Sequence, residues 1–175
     1  MSSDESLNYT DFKLPPSVVV KLDVARLVNE IEQIDSRLSA ASVREKVGVE
    51  DQVGLVISPA MEEFLQLNDL NIDDPQLRLQ IIKQLRALKN NVPVIHMTFS
   101  VTADPESLQK IVSWLRESVH QQAVISVGLQ PAIVAGVYMR TQNHIHDLSL
   151  RSMLKGQHDV LLSELKSLNQ EASGV

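Results

Sequence analysis

The spacing of apolar residues changes sharply near residues 89–92, and this change constrains the fold more than any other feature of the chain. Before it, apolar residues recur every three or four positions, which is the period of an amphipathic α-helix. After it, Ile95, Met97, Phe99 and Val101 alternate with polar residues, as in a half-buried strand. The sequence therefore predicts an α+β fold, with a helical domain over residues 17–91 and a mixed domain over residues 92–175.

The helical domain is predicted to be a small bundle of three to four helices. The apolar residues of the first helix follow alternating steps of four and three: Val20, Val24, Leu27, Ile31, Ile34, Leu38 and Ala41. A coiled coil with a partner helix is the alternative interpretation of this stripe. Ser58 and Asp74 each precede a proline, which predicts N-caps for the next two helices. Residues 49–57 fit no pattern.

The first 16 residues show little periodicity. Pro15 and Pro16 end this stretch and favour extended backbone. We therefore expect a flexible N-terminal arm over residues 1–16. A second possibility stays open, because Tyr9, Phe12 and Leu14 could anchor the arm on the folded surface.

The second domain is predicted to contain β-α-β-β-β-α in chain order. Asp104-Pro105 opens a helix with one apolar face, made of Leu108, Ile111, Val112, Leu115 and Val119. The β-branched run 123–129 is the next strand, and a strand, a helix and a strand in this order favour a right-handed crossover between parallel strands. Gly136 to Arg140 and the run from His144 then form a hairpin.

The last helix is predicted to begin at Asp147, which we assign as its N-cap. Its apolar residues fall on one face, namely Leu150, Leu154, Leu161, Leu165 and Leu168.

Composition excludes several classes of function. The net charge of −6 and the 3% of aromatic residues argue against nucleic-acid binding, which relies on clustered basic residues and stacking rings. There are no cysteines, so disulfides and thiolate sites are excluded. The polar, acidic start lacks the features of a signal peptide, and no apolar run is long enough for a membrane span. A soluble, cytoplasmic protein is expected.

The sharpest chemical candidate is the pair His144 and His146, because residues two apart on a strand share a face and two imidazoles can bind a metal ion. Asp147 is the one nearby third ligand, and we assign it to the helix cap. The sequence has no phosphate-binding glycine loop and no nucleophile elbow. We therefore predict no catalytic residue, no metal and no cofactor.

The second half also carries five features in a characteristic order: a strand, the corner Leu129-Gln130-Pro131, the step Ile133-Val134-Ala135-Gly136, a hairpin with Arg140, and the helix entry Asp147 to Arg151. This order resembles the C-terminal domain of the delta subunit of F-type ATP synthases, called the oligomycin-sensitivity-conferral protein in mitochondria. The residues that match the family signature are Pro131, Gly136, Arg140, Asp147, Ser149 and Arg151.

The resemblance implies a non-catalytic stator subunit. Its helical half would bind N-terminal segments of the alpha subunits, and its α+β half would bind C-terminal helices of the stalk b subunits. The protein would then lie at the inner face of the plasma membrane, associated with it only through the complex. Two alternatives remain: an interaction module that kept this fold without the stator role, and a small ligand- or metal-binding enzyme that uses the hairpin histidines.

Overall fold

The structure is a computed structural model that describes residues 7–46, 56–133, 135–141 and 143–172. A 3-10 helix at Tyr9–Asp11 comes first. The α-helices are α1 (Lys21–Lys46), α2 (Pro59–Leu67), α3 (Pro75–Asn91), α4 (Pro105–Ser118) and α5 (Leu150–Ala172), and the strands are β1 (Val94–Phe99), β2 (Val124–Leu129), β3 (Gly136–Arg140) and β4 (Ile145–Ser149). The α+β class and the order of elements in the second half are confirmed.

The helix starts follow the local signals in the sequence. The Ser58 hydroxyl accepts a hydrogen bond from the Met61 N–H, and the Asp74 carboxylate accepts one from the Gln76 N–H, so both are N-caps as predicted. Glu30 of α1 accepts from the Ser58 N–H and hydroxyl, each at 2.6 Å. The N-cap of α2 is thereby fixed to α1.

The four strands form one sheet in the order β2-β1-β3-β4. β1 and β2 are neighbours, as a crossover through α4 requires, and β3 pairs antiparallel with both β1 and β4. Alternation along β1 buries Ile95, Met97 and Phe99, as predicted. Val101, which the same pattern included, lies beyond the end of the strand and is exposed.

The chain forms two compact units. The first is Met1–Val94 with Pro105–Ile125, and the second is Ile95–Asp104 with Ser126–Val175. Helix α4, which the sequence groups with the second domain, therefore belongs to the first unit. Whether residues 17–91 and 92–175 are independent domains stays a prediction.

The first unit is built around an apolar core between α1, α2 and α3. Its fully buried side chains include Leu27, Ile31, Met61, Phe64, Ile81, Leu85 and Leu88. Arg78 of α3 is also buried and donates to the Asp35 carboxylate of α1 at 2.9 Å, so a charged pair joins these helices at the edge of the core. The stripe predicted for α1 therefore packs inside its own bundle as far as Ile34, and it is not left free for a coiled-coil partner.

Residues 7–20, which include the 3-10 helix, run along this core as a segment that we call the strap. Phe12, Leu14 and Val18 are buried, and the Phe12 ring packs edge-on against Phe64 with ring centroids 5.4 Å apart. The described part of the predicted flexible arm is therefore corrected to an anchored segment, as the alternative based on Tyr9, Phe12 and Leu14 allowed. Residues 1–6 lie outside the described residues.

Polar side chains from distant elements bind the backbone of the strap. Asn68 both accepts from the Lys13 N–H and donates to the Lys13 carbonyl, and Gln84 accepts from the Tyr9 N–H. The buried Gln122 amide donates to the carbonyls of Tyr9 and Phe12. The strap is recognised largely through main-chain groups, much as an added strand would be.

Arg116 of α4 makes the most extensive of these contacts. Its guanidinium donates to the carbonyls of Leu14, Pro15 and Val18 in the strap and to the carbonyl of Ala123 before β2. Burial lowers the pKa of Arg116 to about 10, so it stays charged at neutral pH. The cation is therefore largely buried and is stabilised by neutral carbonyl oxygens. No carboxylate among the described residues pairs with it.

We expect Arg116→Met to lower the free energy of unfolding by about 2–4 kcal/mol, because four carbonyls lose a charged donor. Arg86→Met is the matched control, since Arg86 is exposed and forms a single ion pair with Glu32. Its loss should cost under about 1 kcal/mol. Urea unfolding monitored by circular dichroism measures both, and equal losses would show that the backbone contacts of Arg116 contribute little.

Candidate functional site

Of the six residues that carry the resemblance, three lie together in the second unit. Gly136, Asp147 and Ser149 meet where β3, β4 and the start of α5 come together, a place we call the helix-entry corner. Gly136 pairs with Ser149 in the ladder, and the Leu150 N–H donates to the Ala135 carbonyl at 2.9 Å. Arg140 lies at the opposite end of β3, where it pairs with Ile145.

Gly136 permits the close approach of backbone at this corner. Its φ angle is +103°, and a Cβ atom there would lie 2.4 Å from the Leu148 carbonyl oxygen and 2.8 Å from the Ser149 Cα. Only glycine adopts this backbone conformation without strain and leaves this space free. The sequence signal at Gly136 therefore has a physical cause in the structure.

Asp147 is not the N-cap of the last helix, so this prediction is wrong. Asp147 lies within β4, and α5 begins at Leu150 after Ser149, whose hydroxyl accepts from the Ser152 N–H at 3.2 Å. Asp147 accepts instead from the Ser149 N–H at 3.0 Å. The carboxylate therefore orients the capping residue and does not itself cap the helix.

The electrostatics of the corner follow from these bonds. The Ser149 hydroxyl and then the Ser149 N–H lower the pKa of Asp147, and the positive charges of Lys155 and Arg151 lower it further. Ser149 can donate its hydroxyl proton to Asp147 while accepting from Ser152, which links the strand end to the first turn of the helix. The positive charge of Arg151 thus acts on the Asp147 carboxylate, although Arg151 forms no ion pair within 4 Å among the described residues.

Pro131 and Arg140 stand apart from this cluster. Pro131 is exposed in the bend after β2, where the Ile133 N–H donates to the Gln130 carbonyl. Arg140 is exposed and forms no ion pair with a described carboxylate, Asp147 included. Val134 of the predicted step, and Gln142 between the two predicted hairpin strands, lie outside the described residues.

The hairpin histidines lie side by side, with ring centroids 6.2 Å apart. His146 and Asp147 are consecutive on β4, so their side chains point to opposite faces of the sheet. Over the described ranges, no group of three His, Asp or Glu side chains could hold a metal ion. That the pair binds no metal stays a prediction.

Helix α5 leaves much of its described apolar surface uncovered. The large exposed side chains are Leu150, Met153, Leu154, Val160 and Leu162, with Met153 exposed at 65%. Arg151 and Lys155 are exposed beside them. Leu150 and Leu154 belong to the apolar face that the sequence predicts, and their exposure was not predicted. The other three residues of that face, Leu161, Leu165 and Leu168, lie outside the described side chains. Several exposed apolar side chains on one helix are typical of a protein interaction surface.

No helix in the described part of the chain is long and apolar enough to cross a membrane. Comparison of the chain with models of known protein families and with curated protein sequences gives no match.

We predict that Gly136→Ala lowers the free energy of unfolding by at least about 2 kcal/mol, because the new Cβ collides with rigid backbone at positive φ. Gly128→Ala in β2 is the matched control, since its Cβ would lie 3.3 Å from the Thr98 hydroxyl oxygen and 3.8 Å from the nearest backbone atom, the Met97 carbonyl oxygen. That change should cost under about 1 kcal/mol. Thermal unfolding of both variants tests this, and equal tolerance would mean that the corner can rearrange.

Ser149→Ala should cost about 1 kcal/mol of stability, because α5 loses its N-cap, and it should raise the pKa of Asp147 toward the ordinary value. Ser163→Ala, also on α5, is the control, since the Ser163 hydroxyl only donates to the Val160 carbonyl. NMR titration of the Asp147 carboxyl measures the shift. An unchanged pKa in Ser149→Ala would contradict the link between the two residues.

The sign of the pH dependence follows from the lowered pKa of Asp147. A carboxyl with a lower pKa in the folded state contributes stability above its unfolded pKa and loses it as the pH falls through the folded value. The corner should therefore weaken only in acid, below 3.8, the ordinary pKa of an aspartate carboxyl.

Proposed function

We propose that this protein is a non-catalytic, delta-like stator subunit of an F-type ATP synthase. In this role it would link the catalytic head to the stalk b subunits and resist the torque of rotation during proton-driven ATP synthesis. Its place would be at the inner face of the plasma membrane, held there by the complex. Three observations support the proposal: the order of elements, the geometry of the helix-entry corner, and the open face of α5.

The order β1-α4-β2-β3-β4-α5 after a set of helices is the order that the resemblance implies. Three residues of the family signature, Gly136, Asp147 and Ser149, meet at one corner and position the start of α5. These three residues thus set the direction of α5, and α5 is the helix to which we assign partner binding.

The observation that carries the proposal is the exposed apolar face of α5. Met153 and Leu154 are exposed at 65% and 50%. Covering such side chains with another helix removes apolar surface from water and therefore stabilises the complex. Arg151 and Lys155 beside this face would favour a partner with acidic residues. We assign the C-terminal helices of the b subunits to this face.

The part proposed for the helical half follows from the resemblance alone. There the N-terminal segments of the alpha subunits would bind to the bundle of α1, α2 and α3. A divergent module that kept the delta fold for another partner is the competing interpretation, because the opening helix lacks the tyrosine- and alanine-rich composition typical of the family.

The test is calorimetric titration of the protein with a peptide from the C-terminal segment of the b subunit of the same organism. We expect Met153→Gln with Leu154→Gln to weaken binding at least about tenfold, the factor that corresponds to two lost apolar contacts. Leu22→Gln with Leu79→Gln is the control, because these residues are exposed to a similar extent on α1 and α3. The control should bind as the wild type does.

The same titration tests the two arginines of the signature. Arg140→Ala with Arg151→Ala should leave the thermal midpoint nearly unchanged, since neither forms an ion pair among the described residues, and should weaken binding more at low salt than at high salt. No binding by the wild-type protein would contradict the proposed role of this unit. Equal binding by wild type and variant would remove only the arginines from the interface.

A further inference from the structure

A second surface, on the outer side of α4 in the first unit, is separate from the proposed stator contacts. It is a groove lined by Pro16 of the strap and by residues of α4, which are Glu106, Gln109, Lys110, Ser113, Trp114 and Glu117. We propose that this groove binds an arginine-bearing segment of a basic protein partner, with the guanidinium over the Trp114 indole and against the Glu117 carboxylate.

Trp114 is the feature that distinguishes the groove. It is the sole tryptophan of the chain, and its side chain is exposed at 56% although its neighbour Leu115 is fully buried. It packs against no other described aromatic ring, and no described cation lies over its face. A large ring at an open helix face is costly to expose and is typical of the centre of a protein interface.

The charges that line the groove indicate the kind of partner. Glu106 and Glu117 are exposed carboxylates, Lys110 is the one cation of the lining, and none of the three forms an ion pair with a described residue. The groove is therefore net negative, in a chain whose net charge is −6. Charge complementarity favours a basic occupant, and the same charges disfavour a nucleic acid.

Arginine fits this combination better than lysine does. A guanidinium is planar, so it can stack on an indole while its N–H groups donate to a carboxylate at the edge of the ring. A lysine ammonium is more strongly hydrated and cannot make both contacts in one plane.

The position of Trp114 provides a direct assay, because selective excitation of tryptophan reports on this groove alone. The probe is a short capped peptide with two arginines separated by Gly-Pro, and the comparison peptides carry lysine or glutamine in place of both arginines. We expect a saturable change in fluorescence with the arginine peptide, a weaker one with the lysine peptide and none with the glutamine peptide.

Two variants separate the groove from nonspecific charge attraction. Glu117→Gln should weaken binding of the arginine peptide by about fivefold, the factor expected for one charge-assisted hydrogen bond. Glu62→Gln on α2 removes another exposed carboxylate, one that does not line the groove, and should have no such effect. Lys110→Gln should strengthen binding, because it removes the positive charge from the lining.

Calorimetry with Trp114→Ala gives the second measurement, with circular dichroism to confirm that the variant keeps its fold. Loss of binding in Trp114→Ala supports the proposal. A response that is equal for the arginine and glutamine peptides, or equal losses in Glu117→Gln and Glu62→Gln, would overturn it. Neither outcome bears on the stator proposal, since Met153 and Leu154 of α5 are unchanged throughout.

Discussion

The interaction on which the first unit depends most is that between the Arg116 guanidinium and the carbonyls of the strap. A buried cation is costly unless its donors are satisfied, and here neutral backbone oxygens satisfy them. The same contacts fix the strap, whose ordering would otherwise cost conformational entropy without compensation. With the strap in place, Val20 bridges to Ile125 at the start of β2, and α1 begins one residue later.

This arrangement explains why the first unit includes α4. The amides of Asn68, Gln84 and Gln122 bind the strap from the end of α2, from α3 and from the turn before β2, while Arg116 binds it from α4. The backbone of the strap therefore forms hydrogen bonds with side chains from four parts of the sequence. Removing any single amide costs one or two hydrogen bonds, whereas removing the guanidinium affects several at once.

The local elements were predictable from sequence because their causes are local. Serine or aspartate before proline predicts the start of a helix, and Ser58 and Asp74 are both N-caps. The α5 entry shows the limit of this rule. Asp147 and Ser149 are both good caps two residues apart, and the pairing of β4 with β3 decides between them by extending the strand to Ser149.

Features that depend on distant contacts were not predictable: nothing near Arg116 or Gln122 in the sequence shows that they bind a segment about a hundred residues away.

The two units differ in how their apolar surface is used. In the first unit, most large apolar side chains are buried between α1, α2, α3 and the strap, and Trp114 is an exception. In the second, the helix that the helix-entry corner positions leaves its described apolar side chains open. Periodicity shows which face of a helix is apolar, but only the packing of the rest of the chain shows whether that face is covered, so the exposure of the described α5 side chains was not predicted from the sequence. Burial of these side chains by a partner would therefore stabilise the complex between them.

Purification of the native protein through a tag on its own gene, followed by identification of the proteins that accompany it, tests the stator role most directly. The proposed function predicts the alpha and b subunits of the ATP synthase in stoichiometric amounts. It also predicts that Met153→Gln with Leu154→Gln reduces recovery of the b subunit. Recovery of the protein alone, or with other proteins and without these two subunits, would contradict the stator role.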